Sequence, residues 1–247
     1  MLYSKMPSKE FYVKFLSIII YFLPLAILTG PFLADLSISL LGILFIVYVA
    51  IHKDYKYFNN LFALVFFLLC LYLIFNSLIS DTKWHSLSSS IVYFRFGLFS
   101  LAIWFVLENN KNLKSTFFNF LLLTFLIALL YGYLQFFIDD IGTKVTVHNT
   151  RLVLPFTDNA ILGQYLSRLF PLLIAFFIYL NNYNFKNYFL IFIVFTLTDV
   201  LIYLSGERTA LGLIFLSSIL ILILVSKLKS FRILSILFSI LFIFLIS

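Results

Sequence analysis

HNTRLVLPFTDNAILGQYLSRLFP, residues 148–171, passes from a polar loop straight into an apolar run. The loop part holds His148, Arg151, Asp158 and Asn159, and the apolar part still carries Gln164 and Arg168. An arginine inside a bilayer costs roughly 2.5–3.5 kcal/mol on insertion scales, so it faces a bundle interior, a cavity or a partner charge. At about 100° per residue, Asn159, Gly163, Gln164, Ser167, Arg168 and Pro171 share one half of a helix circumference. Leu162, Tyr165, Leu166, Leu169, Leu172 and Leu173 share the other. The second half can meet lipid and the first cannot comfortably do so. One reading is a helix packed inside a bundle with a polar side that is only structural. The other is a basic site at one membrane surface, continuous with a polar face within.

Composition agrees that lipid is the solvent. Of 247 residues, 63% are hydrophobic, 20% aromatic and only 11% charged, against about 25% charged in soluble domains. The 33 Phe supply lipid-facing and helix-packing surface. Cys70 is the only cysteine and lies in an apolar run, so it forms no internal disulfide and has no metal-ligand spacing. The opening MLYSKMPSKEFYVK precedes an apolar run with no clear small-x-small cleavage site, and many more runs follow. It reads as an uncleaved first helix rather than a signal peptide.

A helix needs about 20 apolar residues to cross a hydrocarbon core of about 30 Å. Nine such runs lie near 12–29, 32–51, 61–79, 90–107, 116–138, 160–180, 187–204, 209–226 and 231–247. Lipid offers the backbone no hydrogen-bond partner, so the runs must be helical. Their continuous apolarity excludes an alternating-strand barrel. The expected fold is therefore all-α, a polytopic transmembrane helix bundle forming one domain over residues 1–247. With the N-terminus in the cytoplasm, every cytoplasmic segment holds lysine: Lys5, Lys9 and Lys14; Lys53 and Lys56; Lys111 and Lys114; Lys186; Lys227 and Lys229 with Arg232. The other side holds Lys83, Lys144, Arg151 and Arg208, and Arg95 and Arg168 lie within spans. This is the positive-inside distribution. It explains the net charge of +7 without any nucleic-acid partner. The loops 80–89, 139–159 and 205–208 then lie outside the cytoplasm.

Most isolated polar residues have ordinary explanations. Asp35 sits one turn inside the second span, where an acid complements the helix dipole. His85, beside Trp84, reads as a solvated loop residue, since one residue without a partner is not a site. Asp139 and Asp140 read as solvated loop acids, because a metal needs more converging ligands. Arg95 either snorkels outward or points into the bundle. Asp199 lies about five residues and Arg168 about eight below the outer surface on consecutive antiparallel spans, which predicts an ion pair between them. Asp158 or Asn159 can cap the sixth span. Arg208 begins the eighth span, where a cation opposes the dipole but, beside free backbone amides, suits anion binding.

RLVLPFTDNAILGQYLSRLFP, from Arg151 to Pro171, resembles the loop-and-helix signature of the O-antigen ligase and polymerase family of bacterial membrane glycosyltransferases. SGERTALG, from Ser205 to Gly212, is similar to that family's Ser-x-x-Arg segment. The resemblance covers about residues 20–230. It implies a protein of the bacterial inner membrane acting at its periplasmic face on a glycan carried by undecaprenyl diphosphate. The acceptor would be lipid A-core or another glycan unit. By motif position, Arg151 and Arg208 would hold the diphosphate, with Asn159, Gln164, Arg168 and Asp199 as a supporting polar face. Guanidinium suits that task, being bidentate and permanently charged, and no metal or other cofactor is then required. The family's presumed catalytic histidine lies in a large loop after the Ser-x-x-Arg segment. Neither His85 nor His148 matches it, so the chain reads as the N-terminal part of such an enzyme. The alternatives are a transporter of a small solute or anion, with Arg95, Arg168 and Asp199 along its path, and a non-catalytic partner in envelope assembly.

Overall fold

A computed structural model of the chain describes residues 7–138, 152–155, 161–180 and 185–246. Every regular element among them is helical, as expected. The order is α1 (Lys9–Thr29), α2 (Pro31–His52), α3 (Leu61–Ile79), α4 (Lys83–Val92), α5 (Phe94–Asn109), α6 (Leu113–Phe137), α7 (Leu162–Leu180), α8 (Phe185–Leu204), α9 (Arg208–Leu224) and α10 (Lys229–Ile246). Hydroxyls inside the apolar helices turn back on their own backbone. Ser17 donates to the Val13 carbonyl at 2.7 Å, Thr198 to Val194 at 2.6 Å and Ser217 to Leu213 at 2.8 Å. Each is thereby satisfied without water. Asn60 starts α3 by accepting from the Ala63 amide at 2.8 Å.

Among the described residues, seven helices are long and apolar enough to cross a membrane: Lys9–Thr29, Pro31–His52, Leu61–Ile79, Lys83–Asn109 with α4 and α5 taken together, Leu113–Phe137, Leu162–Leu180 and Ser226–Leu245. They mark a multi-pass membrane protein. The other two runs read from the sequence form shorter apolar helices, Tyr188–Leu204 and Arg208–Leu224. Gly206, at φ 68, breaks the run between them.

The chain divides into two compact units, one of residues 1–26 and 31–117 and one of residues 27–30 and 118–247. In the first, Leu16, Ile20, Leu41, Phe45, Tyr48, Phe105 and Val106 form a buried core from α1, α2 and α5. Tyr57 is buried and its hydroxyl donates to Glu108 at 2.7 Å. Burial, then that bond to a carboxylate, raises its pKa above the usual phenol range. Asp35 does more than complement a dipole, because Arg95 Nη2 meets its Oδ1 at 3.1 Å. Residues 83–89, read as loop, belong to α4, which packs along α3. Ser77 Oγ and Ser90 Oγ share a 2.5 Å hydrogen bond between these two helices. His85 is exposed.

In the second unit Phe125, Leu129, Leu166, Phe170, Phe195, Leu201 and Ile214 are buried. Gly132 permits the close approach of α6 to its neighbours, since a Cβ there would lie 2.7 Å from both Leu162 and Leu201. α8 packs extensively on α10, and α7 on α9.

Candidate functional site

The start of α9 is built around a turned carboxylate. Gly206 takes a positive φ, and Glu207 then adopts an extended backbone at the N-cap position of α9. Its side chain does not cap its own helix. It reaches α7 and accepts from the amides of Gly163 at 2.8 Å and Gln164 at 3.2 Å. Glu207 is only 2% exposed. A buried carboxylate is costly unless it is well hydrogen-bonded. Two amides at the positive end of α7 supply that compensation. Gly163 makes the arrangement possible, because a Cβ there would collide with Ser205 Oγ and lie 3.1 Å from Glu207 Oε1.

Arg208, the next residue, is exposed and has no ion-pair partner among the described residues. Beside it, Thr209 Oγ1 accepts from Gln164 Nε2 at 3.2 Å, and Gln164 Oε1 accepts from Arg168 Nη2 at 3.4 Å. Thr209, Gln164 and Arg168 thus form a continuous polar edge across α9 and α7. At the end of α6, the Val153 amide donates to Gln135 Oε1 at 2.9 Å. Leu152, Leu154 and Pro155 are buried beside it. Arg151 and Asn159 lie outside the described residues, as do Asp139, Asp140, Lys144, His148, Asn149 and Asp158.

The expected pair of Arg168 with Asp199 does not form. Asp199 is held by Arg232, with Nη1 to Oδ2 at 2.7 Å and Nη2 to Oδ1 at 2.9 Å. Arg232, placed by sequence in a cytoplasmic segment, is 1% exposed. It lies in the first turn of α10 and projects into the unit, donating also to Ser218 and Ser235 and lying over the rings of Phe195 and Phe170. A long stem lets guanidinium leave its own level on the helix. Matching charges by residue depth therefore paired the wrong arginine. Burial of α7 cuts across both halves. Leu162, Tyr165, Leu166 and Leu173 of the apolar half and Gly163 and Ser167 of the polar half are buried, while Arg168 and Pro171 of the polar half and Leu172 of the apolar half are exposed. Packing against α8 and α9 thus buries side chains of both kinds.

Glu207 and Arg232 are the residues whose roles sequence reasoning missed. A signal for Arg232 existed: Arg232, Ser235 and Ser239 recur at helical spacing in an otherwise apolar run. Nothing comparable marks Glu207, whose partners are backbone amides 43 and 44 residues away.

The structure therefore brings Gln164 and Arg168 together beside the α9 start that carries Arg208, and gives Asp199 a separate partner. No protein-family model, curated protein or solved structure matches this chain.

Proposed function

We propose that the chain is a membrane glycosyltransferase-like protein of the O-antigen ligase and polymerase type, with about nine spans and a cytoplasmic N-terminus in a bacterial inner membrane. It acts on an undecaprenyl-diphosphate-linked glycan at the periplasmic face. Arg151 and Arg208 grip the diphosphate, and the polar edge of Gln164, Thr209 and Arg168 flanks it. The supporting observation is the division of labour at the α9 start. Glu207 turns its charge onto α7, while its neighbour Arg208 stays exposed without an ion-pair partner among the described residues. A guanidinium without an ion-pair partner among the described residues, placed at a helix start, is suited to phosphate oxygens. It would also stabilise charge building on a departing diphosphate.

Solute transport has less support. Arg95 and Asp199, two of the three charges that reading needs, are each engaged by an opposite charge. Photo-crosslinking to an undecaprenyl diphosphate analogue tests the proposal. Wild type is expected to label, and Arg151→Ala and Arg208→Ala to lose labelling. Unchanged labelling in both variants would remove the site.

A further inference from the structure

In the first unit, a groove with a volume of about 560 Å³ opens where α1 meets the end of α5. Its lining is graded along α1. Lys9, Glu10 and Lys14 line the part nearest the helix start, and Ile18 and Tyr21 line the part that runs on into the span. At 1.5 Å per residue, Tyr21 stands about 10 Å further along the helix than Lys14. The opposite wall is pinned in place, because Asn110 Nδ2 donates to Ser17 Oγ at 2.9 Å and to the Tyr21 hydroxyl at 3.2 Å. The charged end is not neutralised from within. Neither Lys9 nor Lys14 has an ion-pair partner among the described residues. Glu108, at the same end of α5, is taken by Lys56 at 2.9 Å and by the Tyr57 hydroxyl. Two lysines against one glutamate leave the groove with one positive charge.

That charge disfavours a cation and suits an anion, for which lysine serves as a point charge that its flexible stem can bring to a phosphate. A free anion would occupy only the lysine end and leave the Ile18 and Tyr21 end unfilled. The graded lining therefore calls for an anion that carries hydrocarbon. One phosphodiester balances the groove, whereas a diphosphate would bring more negative charge than the lysines offset. The volume falls in the range of about 300–1,000 Å³ typical of small-molecule sites. We propose that this groove binds one anionic phospholipid of the surrounding bilayer, with its phosphodiester at Lys9 and Lys14 and an acyl chain running past Ile18 and Tyr21.

The experiment uses the whole chain in phosphatidylcholine nanodiscs with a photoactivatable phosphatidylglycerol, followed by peptide mapping. Wild type is expected to label on α1. Excess phosphatidylglycerol should compete, whereas phosphatidylcholine with the same acyl chains and inorganic phosphate should not. Lys9→Gln combined with Lys14→Gln should lower α1 labelling about 30-fold, each lysine contributing a factor of about five. Lys227→Gln combined with Lys229→Gln makes the same change in net charge away from the groove and should leave α1 labelling unchanged. Equal competition by phosphatidylcholine would overturn the proposal, as would competition by inorganic phosphate, which would make the groove a site for soluble anions. Equal loss of α1 labelling in the two double variants would also overturn it, reducing the effect to overall charge. The competition series uses wild type alone, and so decides the matter whatever the folding of the variants.

Discussion

Glu207 and Arg208 are sequence neighbours of opposite charge, yet one is buried against α7 and the other exposed. Removing the Glu207 carboxylate leaves two α7 amides without their acceptor. Glu207→Ala is expected to cost about 1–3 kcal/mol of stability, and Glu207→Gln less, because an amide oxygen still accepts. Thermal unfolding in detergent measures both. Gly163→Ala should destabilise by about 1–3 kcal/mol in the same assay, since its methyl meets Ser205 and Glu207. Wild-type stability in Gly163→Ala would show that α7 and α9 are not held this closely. Arg208 was legible in the sequence, since a cation that opposes a helix dipole asks for another reason to be there. The role of Glu207 was not, because a carboxylate at a helix start looks the same whether it caps its own helix or another.

Among the helices, the second unit is fastened by Asp199 of α8 and Arg232 of α10, with Ser218 of α9 joined to the same guanidinium. Truncating one partner of a buried pair leaves the other charge uncompensated. Asp199→Ala is expected to lose about 3–5 kcal/mol. Asp199→Leu combined with Arg232→Met should recover most of that loss, because neither charge is then left buried. Equal losses in the single and double variants would mean that the pair is not coupled. Apolar runs and their helical nature were readable from length and lipid chemistry alone. The partner of Asp199 was not, since a flexible stem places guanidinium well away from its own Cα. α4 was hidden for a different reason. Serine-rich SSS favours turns locally, while packing against α3 holds it helical.

For the molecule as a whole, composition identified the solvent and lysine placement set a predicted orientation. A Cys70→Ser background permits a direct check with membrane-impermeant maleimide on intact cells. Lys83→Cys is expected to label from outside, whereas Lys53→Cys and Lys111→Cys should label only after the membrane is opened. The reverse pattern would invert the chain and put Arg208 on the wrong side for a periplasmic substrate. The proposed function turns on the guanidinium at the start of α9. Its affinity for undecaprenyl diphosphate is measurable in nanodiscs by titration of wild type, Arg208→Lys and Arg208→Ala. Loss of a charge-assisted hydrogen-bonded contact of about 1.5–3 kcal/mol predicts binding roughly 10- to 100-fold weaker in Arg208→Ala. Arg208→Lys should fall between, keeping the charge without the fork. Equal affinity across all three proteins would contradict a diphosphate held by Arg208.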